Sequence, residues 1–207
     1  MDITLIGDVH SNYVKYLEII KTAEYSLQLG DFGYSYSVLS GVDHTRHEIL
    51  AGNHDNYSLI KSGQYKHFLL DYGYYFNSIF YIRGGFSINK NSPSTRIGVD
   101  WFPEEELSSE QMEKCFEFYK KIKPQIVVSH EAPRDIANQV GSPDILRDFG
   151  FNPDTFTTRT SEFLQRCFVE HQPGRWYFGH YHKSWKHFYC MTLFRCLAPL
   201  ETVIVKI

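Results

Sequence analysis

ITLIGDVH, from Ile3 to His10, passes from an apolar run into a glycine, an aspartate and a histidine, and the chain repeats that pattern. Leu27–Leu29 leads into Gly30-Asp31, Ile49–Ala51 into Gly52-Asn53-His54-Asp55, Ile126–Val128 into Ser129-His130, and Trp176–Phe178 into Gly179-His180-Tyr181-His182. Short apolar runs bounded by turn residues read as buried strands, so each motif lies just past a strand's carboxyl end. If the strands lie side by side and parallel, those ends gather at one edge of the sheet, where α/β proteins build ligand sites. Two aspartates, an asparagine and several histidines then converge on one spot. That is a metal site, and a two-metal one is expected.

The bulk composition is that of a soluble globular protein. At 207 residues the chain is expected to form one domain, 1–207, with a core of ordinary size. Its 16 Phe, 15 Tyr and 3 Trp are read as core and sheet-face residues rather than a base-stacking surface. A formal net charge of −3 argues against binding to duplex nucleic acid or an anionic membrane, yet leaves room for a small phosphorylated substrate beside bound cations. No apolar run approaches a membrane span. The chain opens on a strand with Asp2 at its second position, so a signal peptide is not expected. Cys115, Cys167, Cys190 and Cys196 show no CxxC pairing and are read as reduced thiols in a cytoplasmic protein, with a Cys190–Cys196 pairing across a hairpin as the lesser reading.

Helical spacing predicts helices over Asn12–Lys21, capped by Ser11 or Asn12, over Asn56–Ser62, over Glu104–Lys121 and over Thr160–Glu170. In the third, acidic residues fill the first turn, lysines the last, and Pro124 closes the helix. Further strands are expected at Tyr25–Leu29 and Glu48–Ala51, hairpins at Ser78–Arg83 and Phe86–Asn89, and successive strands over Tyr177–Ile207 with turns near Lys183, Thr192 and Pro199. Ala132–Thr158, with three prolines, reads as a long loop with one short helix. Strands alternate with helices throughout, an α/β pattern.

Taken in order, Asp8-x-His10, Gly30-Asp31, Gly52-Asn53-His54-Asp55, His130 and Gly179-His180-x-His182 resemble the motif set of the calcineurin-like metallophosphoesterase superfamily, in its small bacterial and phage form. The resemblance spans nearly the whole chain. It implies an αββα sandwich, two mixed sheets flanked by helices. It implies that Asp8, His10 and His182 bind one divalent ion, that Asn53, His130 and His180 bind a second, and that Asp31 bridges both. Manganese is expected first, with iron, zinc, cobalt or nickel as alternatives. A hydroxide bridging the ions would attack the phosphorus in line, His54 would protonate the leaving oxygen, and Asp55 would orient His54. Singly, Asp8 would read as a helix cap, Asn53 as a turn residue and His130 as a satisfied strand-end polar group. Their joint placement is what argues for ligation.

The departures concern substrate. Phosphoprotein phosphatases carry GDxxDRG at the second motif, where the arginine binds phosphate; here the stretch is Gly30-Asp31-Phe32-Gly33-Tyr34-Ser35. Arg83 or Arg96 is either a replacement phosphate contact or a surface arginine, and Asn12 either reaches substrate or caps its helix. Asp55 either orients His54 or caps the helix after it. His44, His47, His67, His171 and His187 match no motif and are read as surface residues. The leading function is hydrolysis of a small phosphomonoester or phosphodiester. The alternatives are a nuclease or cyclic-nucleotide phosphodiesterase, using a basic patch around Lys61, Lys90 and Arg96, a phosphoprotein phosphatase, and a non-catalytic scaffold.

Overall fold

In the computed structural model, which describes residues 1–207, the five apolar runs are divided between two sheets rather than gathered in one. β1 (Asp2–Ile6), β2 (Tyr25–Gln28) and β3 (His47–Ile49) are parallel, and β10 (Thr202–Lys206) pairs antiparallel with β1 to complete a four-stranded sheet. The six-stranded sheet runs in the order β4 (Tyr72–Tyr75), β5 (Ile79–Ile82), β6 (Ile126–Ser129), β7 (Arg175–Phe178), β9 (Thr192–Cys196), β8 (Trp185–Tyr189). Its four central strands are parallel and its two edge strands antiparallel.

Parallel strands buried on both faces need apolar residues at successive positions, and these strands have them. Ile126 and Val128 of β6 pack with Ile3, Leu5 and Leu27 of the facing sheet, whereas Val127 turns outward with Phe80, Trp176 and Phe194. That outward face is covered by α3 (Ser109–Ile122), α4 (Arg134–Val140) and α6 (Arg159–Glu170) through residues such as Phe116, Tyr119, Ile136, Leu164 and Phe168. On the other side α1 (Tyr13–Ile20) lays Tyr16 and Ile20 against Ile6 and Ile49. The result is helix, sheet, sheet, helix: the αββα sandwich. The parallel strands of both sheets end on the same side, and their loops are stitched together there. Gly84 N–H, past β5, donates to Ala51 O, past β3, at 2.8 Å, and Gly179 N–H, past β7, donates to His130 O, past β6, at 3.1 Å.

Several local expectations are corrected by contacts made far along the chain. The third helix starts at Ser109, not Glu104, because Ser108 and Gln111 form a reciprocal capping box and Glu106 is extended. The glutamates ahead of it serve elsewhere: Glu104 pairs with Lys61, Glu105 accepts from Ser87, and Glu106 accepts from Thr160. Phe86–Asn89 is not a strand. The carboxylates of Glu131 and Glu105 take the N–H groups of Phe86 and Ser87, at 3.1 and 3.0 Å, that a ladder would have used. Residues 132–158 hold two helices, α4 and α5 (Pro143–Asp148), not one. The β8–β9 hairpin reverses at Cys190, which has φ 52°, ahead of Thr192. His47 and His67 are buried rather than on the surface, His47 bonding Ser26 Oγ at 3.0 Å and His67 bonding Val42 O at 2.9 Å. All four cysteines are free, and Cys196 faces Trp185, not Cys190, across the hairpin. No helix is long and apolar enough to cross a membrane.

Candidate metal centre

The five strand-end loops bring seven side chains to one place, in two groups. Asp8, His10, Asp31 and His182 each offer an atom within 4.8 Å of the others', and so do Asp31, His130 and His180. Asn53 joins the second group, its Oδ1 lying 3.0 Å from His130 Nε2 and 2.9 Å from His180 Nδ1. Asp31 alone belongs to both: Oδ1 is 3.2 Å from His130 Nε2 and Oδ2 is 3.7 Å from His10 Nε2.

These residues suit divalent cations. Asp8 and Asp31 are fully buried, and neither meets a lysine or an arginine; their only ionic partners are histidines. Buried carboxylates are costly unless they are paired with a cation or coordinate a metal, and only titratable imidazoles face these two. The donors are all oxygen and imidazole nitrogen, the set that takes manganese, iron, zinc or cobalt. Orientation is already built in. His130 Nδ1–H donates to Leu29 O at 2.8 Å, which turns Nε2 toward Asp31 and Asn53. The amide of Asn53 is fixed the same way: Nδ2 donates to Ser87 Oγ at 3.1 Å, and Ser87 Oγ–H donates to Glu105, so Oδ1 must face the histidines.

The backbone is strained where the ligands sit. His10, Asp31, His180 and His182 have φ of 45°, 58°, 68° and 53°. A non-glycine residue costs about 1–2 kcal/mol in that region, and four of the chain's ten such residues are among these seven. Glycines beside them give the room: a Cβ on Gly179 would lie 2.1 Å from Asp8 Oδ1, and one on Gly52 would lie 2.5 Å from Asp31 N.

Charge in the centre is arranged so that protons hold the place of metal. Burial works against a charged His130, yet Asp31 and Asp8 outweigh it and push the imidazole up to about 10. Burial likewise opposes ionisation of Asp31, but His130 and its neighbours hold that carboxyl well below the usual range. Burial, reinforced by His130, pushes His180 down to about 3. At pH 7.5 the metal-free site therefore carries an imidazolium at His130 that metal must displace. Affinity for the ion at His130 is expected to rise with pH up to the His130 value, with at least one proton released on binding, since Asp8 and Asp31 raise His10 as well. Titrating manganese calorimetrically in two buffers of different ionisation enthalpy reads that number directly; a count of zero contradicts the arrangement.

Asp55 does not touch His54, which corrects its expected role. It is fully buried under the loops, accepting from Gly52 N at 2.7 Å, Asp31 N at 3.0 Å, Gly33 N at 3.1 Å and Tyr36 Oη at 3.4 Å. Nor does it cap the next helix, since α2 (Tyr57–Lys61) is capped by Asn56. Asp55 clamps the loops that carry Asp31 and Asn53. The partner of His54 is Tyr34, a residue of the stretch that lacks the phosphatase arginine. Tyr34 Oη is 3.0 Å from His54 Nδ1 and spends its own proton on Asp100 O at 2.8 Å, so it accepts from His54.

The expected substrate contacts are otherwise occupied. Arg83 is nearly buried, paired with Asp71, donating to Glu104 O at 2.7 Å and lying over the Tyr57 ring. Arg96 is exposed and forms a two-pronged pair with Asp100. Asn12 caps α1, accepting from Lys15 N at 3.4 Å. What the centre opens onto is a cavity of about 300 Å³ that includes Asp31, Asn53, His54, His180 and His182 in its wall and continues under residues 137–158.

Comparison with known proteins places this geometry. The family model for calcineurin-like phosphoesterases matches residues 1–184. No curated protein matches the chain in sequence. Among solved structures, the fold is similar to a phosphopantetheinyl hydrolase from Mycobacterium tuberculosis, at TM-score 0.57 and 10% identity over 95% of this chain and 89% of that one. It is also similar to GAP50, the anchor in the inner membrane complex of Plasmodium, at TM-score 0.50 and 11% identity over 95% of this chain and 70% of that one.

Proposed function

The chain belongs to the calcineurin-like phosphoesterase family, a family of metal-dependent enzymes, and on that premise we propose that it hydrolyses a small phosphoester at a centre of two divalent ions bridged by Asp31. The observation that carries the reading is the sharing of one buried carboxylate between two ligand groups drawn from both sheets. Asp8, His10 and His182 would hold one ion, and Asn53, His130 and His180 the other. When bound, the ions supply Lewis acidity, polarising a phosphoryl oxygen and making water nucleophilic at neutral pH. The protein's own part is to aim these ligands and to manage the leaving group's proton.

That second task falls to His54. It lines the cavity beside the ligands, and its Nδ1–H is held by Tyr34, so Nε2 is the nitrogen left for substrate. Burial lowers its pKa, which makes an Nε2 proton easier to give to the leaving oxygen. Tyr34, by accepting from Nδ1–H, steadies the protonated ring. Tyr34→Phe is therefore expected to lower kcat about tenfold, the worth of one hydrogen bond to a charged group, with KM and metal content little changed. Losing that acceptor lowers the His54 pKa further. Since the acid works only while protonated, the alkaline limb of the kcat profile should move to lower pH. An unmoved limb removes Tyr34 from this role.

Purified protein loaded with manganese is expected to cleave p-nitrophenyl phosphate or its bis ester. If none of manganese, iron, zinc, cobalt and nickel supports turnover of either, the enzymatic reading is wrong. The surface gives a nuclease little support. Lys61 is paired with Glu104, Arg96 with Asp100, and Lys90 lies over the rings of Phe86 and Trp101.

A further inference from the structure

The cavity beside the centre has two chemically different ends. Around Asp31, Asn53, His54, His180 and His182 it is polar. Away from them its wall includes Phe86, Ile88, Val140, Ile145, Leu146 and Phe156, with the short polar side chains of Asn138, Ser142 and Thr157 among them. Helix α5 contributes no buried residue to the core; Ile145 is 51% exposed, and with Leu146 it lines this cavity instead. Phe86 and Phe156 of the wall pack edge to face with each other and with Phe151, ring centroids 4.8–6.2 Å apart. The segment thus turns apolar side chains to the cavity, as preformed ligand sites do, alongside a set of neutral polar ones.

The charges around the cavity point the same way. No arginine lines it, and its one lysine, Lys183, has Nζ donating to Val140 O at 2.9 Å. The arginines of the covering segment are paired outside it, Arg134 with Glu162, Arg147 with Asp144 and Arg159 with Glu106. Glu131, deep in the wall, is held by Phe86 N–H and Thr158 Oγ–H and adds no positive charge. A second phosphate or a continuing nucleic-acid strand would find no arginine there and one lysine, Lys183, already bonded to a backbone carbonyl.

We infer that this cavity holds the leaving group of the substrate and that the group is a largely apolar alkyl or aryl alcohol. This rests on the phosphoesterase reading above. In the reaction, water forms the new bond to phosphorus and gives up one proton to solvent, the bond from phosphorus to the alcohol oxygen breaks, and that oxygen takes the proton of His54 Nε2, which solvent then restores. The products are the alcohol, in the cavity, and the phosphate left by hydrolysis.

The test compares methyl, butyl and hexyl phosphate and glycerol 3-phosphate as substrates of the manganese-loaded protein, and methyl- and hexylphosphonate as ligands by calorimetry. Each buried methylene strengthens binding about fourfold. Hexyl phosphate is expected to exceed methyl phosphate in kcat/KM by at least about tenfold, glycerol 3-phosphate to fall near methyl phosphate, and hexylphosphonate to bind at least about tenfold tighter than methylphosphonate. Ile145→Asp, at a half-exposed position that the fold tolerates, should bring the hexyl-to-methyl ratio toward one in both measurements. Val169→Asp, on the exposed side of α6, should leave the ratio as it was. Equal binding of the two phosphonates, or a preference for glycerol 3-phosphate, overturns the inference. Chain-length-dependent phosphonate binding without turnover of any phosphoester supports the apolar cavity and overturns the enzymatic reading. Turnover without chain-length dependence does the reverse.

Discussion

Asp31→Asn is expected to empty the centre of metal and abolish turnover together, while the protein remains folded. Asp31 is 1% exposed and is the only side chain shared by both ligand groups. Its Oδ1 also accepts from His54 N–H at 2.7 Å, and Oδ2 faces His10. Asparagine keeps the shape but turns one oxygen into a donor among imidazoles and removes a charge that both ions would share. Loss of a merely supporting contact around a metal costs about 10–100-fold in affinity or activity; loss of a shared ligand should exceed that. Elemental analysis should find fewer than one ion per chain, and circular dichroism should be unchanged. Two ions retained per chain, with activity, would show that Asp31 does not bridge.

His54→Ala should give the opposite pattern: full metal content with turnover reduced about 10²–10⁴-fold, the usual contribution of a positioned general acid. His54 touches the centre through its backbone N–H to Asp31 and through its place in the cavity wall, and it belongs to neither ligand group. An alkyl leaving group needs a proton far more than p-nitrophenolate does. The loss should therefore be greater on methyl phosphate than on p-nitrophenyl phosphate. Equal losses on both substrates, or loss of metal, would remove His54 from the acid's role.

The side chains that converge on the centre are legible because each follows its strand by one to four residues, so a local pattern of apolar run, small residue and polar residue carries the information. The strands' division between two sheets was not local. Ile3–Ile6 and Ile126–Val128 have the same apolar character although one pairs with Tyr25–Gln28 and the other with Ile79–Ile82; only the motif resemblance implied two sheets. Asp55 misled for a related reason. Adjacent to His54 in sequence, it turns instead into the core, where three backbone N–H groups from two loops converge on it. Tyr34, the residue that does hold His54, lies twenty positions earlier, in a stretch that had been informative only for the arginine it lacks. The Ser87–Glu105 support of Asn53 crosses 34 residues and then 18, and nothing in either segment announces it. Glu131 offered the one missed signal, a carboxylate directly after a ligand histidine. Apolar residues in 132–158 were masked by prolines and polar neighbours, because they line a cavity rather than a core face and so show no clean helical period.

The claim on which all of this depends is a pair of ions sharing Asp31. Anomalous diffraction from manganese-soaked crystals of the protein, recorded at the manganese edge, tests it most directly. The account predicts two peaks about 3.5–4 Å apart, with Asp31 between them, one against Asp8, His10 and His182 and the other against Asn53, His130 and His180. A single peak at full manganese loading, or two peaks of which only one contacts Asp31, would contradict it.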